Sequence, residues 1–115
     1  MIKLFEEYNE YYQEITYSEY ISYLIYHSFT ESEVKILEEL DFNAPLRPDQ
    51  DASGKKWRLI MKIPSGTISM FKLPDEWYLA KILGISQPGP GIYNYYYKCD
   101  QIGGLIELIK DNLNL

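Results

Sequence analysis

Cysteine and histidine are nearly missing from this 115-residue chain, each occurring once, as Cys99 and His27. A lone cysteine excludes an internal disulfide framework. A single histidine leaves little material for a zinc site or a histidine base, so neither a metal nor a cofactor is expected. No apolar run approaches the roughly 18 residues of a membrane helix, and a membrane partner is not expected. The segment Met1–Glu7 turns acidic at once and has no apolar signal stretch, which predicts an intracellular, cytoplasmic location. Gly103-Gly104 lacks the further glycines of a phosphate loop and reads instead as close packing of a helix on a sheet. A basic recognition helix is also missing. Residues 30–40 hold four glutamates and one lysine, which excludes a DNA-reading helix-turn-helix.

What is present is ordinary globular material with two biases. Hydrophobic residues make up 46% and charged residues 24%, enough for a core, so residues 1–115 read as one folded domain. The first bias is charge. Residues 1–40 carry nine acids against two lysines, whereas residues 41–115 carry eight acids and nine bases. An acidic half repels phosphate backbones, so nucleic acid is the less favoured partner. The second bias is tyrosine, at 12 residues. Tyrosine packs in cores when its hydroxyl finds a partner, and it is enriched at contact surfaces.

The chain divides into a helical half (1–42), a loop (43–56), and a sheet followed by a C-terminal helix (57–115). Residues 2–9 have the spacing of a helical turn, and 11–15 are compatible with a strand. Thr16-Tyr17-Ser18-Glu19 and Thr30-Glu31-Ser32-Glu33 both fit the capping box that opens a helix. Tyr17, Tyr20, Ile21, Leu24 and Ile25 then form one apolar stripe, and Val34, Leu37 and Leu40 form another. The pair predicts a tight helical hairpin. Residues 43–54 contain two prolines and a glycine and read as loop. Strands are predicted over 57–63, 67–72, 77–83 and 92–98. A final helix is capped by Asp100, with the stripe Ile102, Leu105, Ile106, Ile109 and Leu113. The fold class is α+β: a four-stranded antiparallel meander covered on one face by helices.

Strand alternation places Trp57, Leu59, Met61 and Ile63 on the face toward the helices. The opposite, open face carries Arg58, Lys62, Lys81 and Lys98 among Ile60, Trp77, Leu79 and Tyr96. Those four cations are the candidate residues for single-stranded nucleic-acid binding, the first alternative function. Tyr8, Tyr11, Tyr12, Tyr23, Tyr26, Tyr96 and Trp77 remain once the core stripes are filled, and Tyr23, Tyr26, Trp77 and Tyr96 are the candidate residues for a protein contact. Cys99, between Lys98 and Asp100, is the candidate of a second alternative, a small cysteine-dependent enzyme. A buried structural thiol explains it more simply. Asp75-Glu76 reads as a polar turn. No set of polar residues converges by spacing on a catalytic site.

Asp75-Glu76-Trp77, Tyr96-Tyr97-Lys98-Cys99-Asp100-Gln101 and Gly104-Leu105-Ile106-Glu107-Leu108-Ile109 together form a pattern over residues 75–113. It resembles short uncharacterised proteins of giant DNA viruses of the mimivirus type. The resemblance implies an intracellular viral setting and brings no activity or catalytic residues with it. The expected function is a small, soluble, non-enzymatic interaction module that binds a protein partner or itself through an aromatic surface.

Overall fold

A computed structural model describes residues 11–23, 25–40, 45–64, 66–85 and 92–113. The predicted helical turn at 2–9, Leu24 of the first stripe and most of the 84–91 loop lie outside these residues. The described elements are strands β1 (Gln13–Ile15), β2 (Leu46–Gln50), β3 (Lys56–Ile63), β4 (Gly66–Lys72), β5 (Tyr78–Ile85) and β6 (Ile92–Cys99). The helices are α1 (Tyr17–Ile21), α2 (Glu31–Glu38) and α3 (Ile102–Asn112). The strands form one antiparallel sheet in the order β1-β6-β5-β4-β3-β2.

The α+β class holds, but the sheet has six strands among the described residues rather than four. The predicted meander is its centre, and a strand has been added at each edge. β1 falls in the β-compatible segment 11–15. β2 falls in the stretch read as loop, because Pro48 argues against a strand. An edge strand tolerates proline, since one side of its backbone has no ladder partner to supply. Leu46 opposite Met61 and Arg47 opposite Ile60 show the pairing.

Alternation along the central strands gives the sheet two apolar faces. On the first, Leu59, Met61, Ile68, Met70, Tyr78, Ala80, Ile82 and Cys99 meet Val34 and Leu37 of α2 and Leu105, Leu108 and Ile109 of α3. Leu105, Ile109 and the unpredicted Leu108 are all essentially inaccessible, while Ile106 is half-buried. Thr30 caps α2 with the complete capping box: its hydroxyl accepts from the Glu33 amide, and its own amide donates to the Glu33 carboxylate at 2.8 Å. The same carboxylate accepts from Lys72 Nζ at 2.9 Å and from the Tyr78 hydroxyl, tying the helix start to β4 and β5. α3 is capped at Gln101, not at Asp100, and without a side-chain hydrogen bond.

The second face has its own smaller core, Phe71, Leu73 and Leu79, closed by Ile15, Tyr20, Tyr23, Tyr26 and Trp57. The predicted hairpin does not form. Thr16 does accept from the Glu19 amide at 3.1 Å, but α1 ends after five residues. The chain then runs extended: the His27 amide donates to Lys72 O at 2.7 Å, and the Phe29 amide to Lys56 O at 3.0 Å. Residues 16–23 and 25–29 therefore form a strap. It leaves edge strand β1, crosses the second face, and delivers Phe29 to the first-face core against Tyr78.

Among the described residues of the predicted stripe only Tyr20 packs inward. Tyr17, Ile21 and Ile25 are exposed, and Tyr23 and Tyr26, from outside the stripe, pack inward beside Tyr20. A five-residue helix followed by extended chain cannot hold a 3.6-residue period over two turns. Trp57 also changes sides. The β2–β3 register slips between Asp49 (opposite Arg58) and Gln50 (opposite Lys56), and the extra residue, Trp57, turns to the second face.

Candidate interaction surface

The second face is where the candidate residues gather. Phe71 is its hub. Tyr26 stacks on it at 4.6 Å between ring centroids, Trp57 lies at 6.2 Å, and Tyr20 meets it edge-on at 6.4 Å. Tyr20 also packs on Tyr96 at 4.6 Å, and Tyr17 covers Tyr96 from the outside at 5.4 Å. Lys98 Nζ sits over Trp77 at 4.2 Å and over Tyr23 at 5.2 Å, a cation between two rings. Burial pushes the hydroxyls of Tyr20 and Tyr26 above their usual range, so both are neutral at physiological pH.

All four residues predicted for a protein contact are therefore brought together, but largely as part of the fold. Tyr23, Tyr26 and Tyr96 are half-buried and fasten the strap, and only Trp77 keeps substantial exposure. Five large apolar side chains on this side do remain open: Ile25 at 66%, Tyr17 at 58%, Ile21 at 49%, Leu83 at 40% and Trp77 at 38%. Helical spacing places Ile21 and Ile25 in the core, and the structure leaves both exposed. Leu83 lies two residues beyond Lys81 on the same face and was legible by continuing the strand alternation.

The four predicted cations also share this face, in two different states. Arg58 is held by Asp49, with Nη2–Oδ2 at 2.5 Å and Nε–Oδ2 at 2.8 Å, and its guanidinium lies 4.8 Å over Trp57. Lys98 is enclosed by its two rings. Lys62 and Lys81 are the remaining pair, and neither has a carboxylate partner among the described residues. They lie on the half of the face that the strap leaves uncovered. Cross-strand partners there run Arg47, Ile60, Ser69, Lys81, Tyr96 in one row and Lys62, Thr67, Leu83, Asn94 in the next. Arg47 was missed because it stands between Pro45 and Pro48 in what read as loop.

Cys99 lies on the opposite face and is 1% exposed. Burial, with the Asp100 carboxylate adding to it, pushes the thiol up to about 12, so it is protonated at neutral pH. Gly104 packs as expected. A Cβ there would lie 2.1 Å from Tyr11 O and 2.8 Å from Cys99 Cβ, whereas Gly103 faces open space. Asp75 sits in a single 3-10 turn between β4 and β5, the predicted polar turn. No helix among the described residues is long and apolar enough to cross a membrane. Comparison of the chain with protein-family models, with curated proteins and with solved structures yields no match.

Proposed function

We propose that this chain is a non-enzymatic protein-interaction module whose contact surface is the strap side of its sheet. The observation that carries the reading is the exposure of Tyr17, Ile21 and Ile25 along the strap, on the same side of the sheet as open Trp77 and Leu83. Scattered apolar residues are normal on a surface, but a grouping on one side marks a contact site. The tyrosine layer beneath holds the strap in place, which lowers the ordering cost at binding. In this reading the protein works inside a cell, and the resemblance of residues 75–113 would make it a viral one.

The test is affinity capture from a cell lysate, with sedimentation velocity in parallel, comparing the wild type with Ile21→Asp/Ile25→Asp. Both positions are exposed, so Tm should not move. The expected result is a partner, or a self-association, that the wild type shows and the double variant loses. Identical capture and sedimentation by the two proteins would sink the reading.

A further inference from the structure

We infer that the half of the second face left uncovered by the described residues of the strap is a docking strip for an acidic, apolar peptide segment of a partner protein. This rests on the strap side being the contact side and adds the chemistry of what binds there.

The strip is a floor of Ile60, Ser69, Thr67 and Leu83 on β3, β4 and β5, with Arg47, Lys62 and Lys81 around it. Arg47 and Lys81 occupy one cross-strand row three strands apart, about 14 Å at the usual strand spacing. An extended segment of about five residues covers that span.

Charge complementarity selects an acidic occupant. The chain has 17 acids and 11 bases, so unpaired cations are not forced by composition. Yet Lys62 and Lys81 stand on one face without a carboxylate among the described residues, and the nearby Asp49 is already committed to Arg58 and, at 3.6 Å, to Arg47. Three cations around a floor that includes Ile60 and a 40% exposed Leu83 fit side chains that alternate carboxylate and hydrocarbon. The strap residue Tyr17, against Tyr96, forms the end wall of the same strip.

Single-stranded nucleic acid fits less well. Base recognition on an open sheet needs free rings as stacking platforms. Among the described residues of the two rows the only ring is Tyr96, and it is already covered by Tyr17 and Tyr20. The net charge of −6 opposes a phosphate backbone as well.

The experiment is a fluorescence-anisotropy titration of the whole chain against a labelled ten-residue peptide alternating glutamate and leucine. A glutamate–serine peptide, a lysine–leucine peptide and a single-stranded thymidine oligonucleotide serve as comparison probes. The glutamate–leucine peptide should bind best, and its affinity should fall as salt rises. Lys62→Gln/Lys81→Gln should weaken it roughly tenfold while leaving Tm unchanged, because neither lysine holds a carboxylate partner among the described residues. Equal affinity in the lysine variant, tighter binding of the oligonucleotide, or no saturable binding of the peptide would each overturn the assignment. Repeating the lysate capture with the lysine variant separates the two ideas. A partner lost by Ile21→Asp/Ile25→Asp but kept by Lys62→Gln/Lys81→Gln leaves the contact side standing and removes the acidic strip.

Discussion

Glu33 does three jobs with one carboxylate: it completes the helix cap at Thr30, pairs with Lys72 and accepts from Tyr78. Burial alone would push its carboxyl up. The Thr30 amide, the Tyr78 hydroxyl and the Lys72 ammonium outweigh that and hold it below the usual carboxylate range. A carboxyl depressed by folding contributes stability that is fully present above its unfolded value of about 4.3 and is lost as pH falls through the folded value. Glu33→Gln should therefore lower stability by about 1–3 kcal/mol near neutral pH. Thermal melts should show the two proteins converging as the solution is acidified below the carboxylate range, and a constant gap would contradict the assignment. Gly66 is a second residue-scale constraint. A Cβ there would lie 1.8 Å from the Leu83 carbonyl oxygen on the paired strand, so Gly66→Ala must push β4 and β5 apart, at a cost of about 1–3 kcal/mol or more in denaturant titration. Cys99, protonated and enclosed, should react with a disulfide reagent near neutral pH only at the rate at which the protein opens.

The elements differ in where their stability comes from, and this explains which of them the sequence disclosed. α3 is eleven residues with Leu105, Leu108 and Ile109 fully enclosed, and its period is plain. The four central strands were equally plain, because alternation over five or more residues with glycine, proline or acidic turns between them admits one reading. The edges were not. Gln13-Glu14-Ile15 and Leu46–Gln50 gain their strand character from the neighbour they pair with, a tertiary effect that a local pattern does not carry. α1 shows the same limit from the other direction: its cap is genuine, its stripe is not, and it buries no residue of its own. Of the candidate site, Trp77, Tyr96 and the four cations were legible as sharing a sheet face, whereas Tyr23 and Tyr26 were legible only as rings left off the helical stripe. Their division into fastening residues and open ones was not, since it depends on where the strap lies. Leu105→Ala and Leu108→Ala should each cost about 2–5 kcal/mol, whereas Ile21→Ala, on an exposed position, should fall within about 0.5 kcal/mol of zero. Thr30→Ala should cost about 0.5–2 kcal/mol, and more than Thr16→Ala, whose cap makes only one of the two box hydrogen bonds.

At the scale of the whole molecule, the sheet is a partition between two unequal cores, and the strap visits both. It starts at the β1 edge, lays Tyr20, Tyr23 and Tyr26 over Phe71, Leu79 and Lys98, and ends with Phe29 beside Tyr78 on the far side. Between those ends it is fastened by rings and by a few hydrogen bonds: His27 N to Lys72 O, Phe29 N to Lys56 O, and Lys55 Nζ to Tyr26 O at 2.7 Å. The central strands, by contrast, are paired on both sides and carry the larger core on their first face. Segments with few buried contacts open without the rest of the fold, at a free-energy cost below that of global unfolding. Native-state hydrogen exchange should therefore resolve two levels. Amides of β3, β4 and β5 should exchange only through global unfolding and track its denaturant dependence. The amides of His27 and Phe29 should exchange faster, through release of the strap. Tyr26→Ala removes the ring stacked on Phe71 and should speed exchange at His27 severalfold while leaving the β4 amides governed by the global transition. If His27 and the β4 amides instead slow and quicken together in every variant, the strap is an integral part of one cooperative unit. The exposed ridge of Tyr17, Ile21 and Ile25 would then be as rigid as the sheet beneath it.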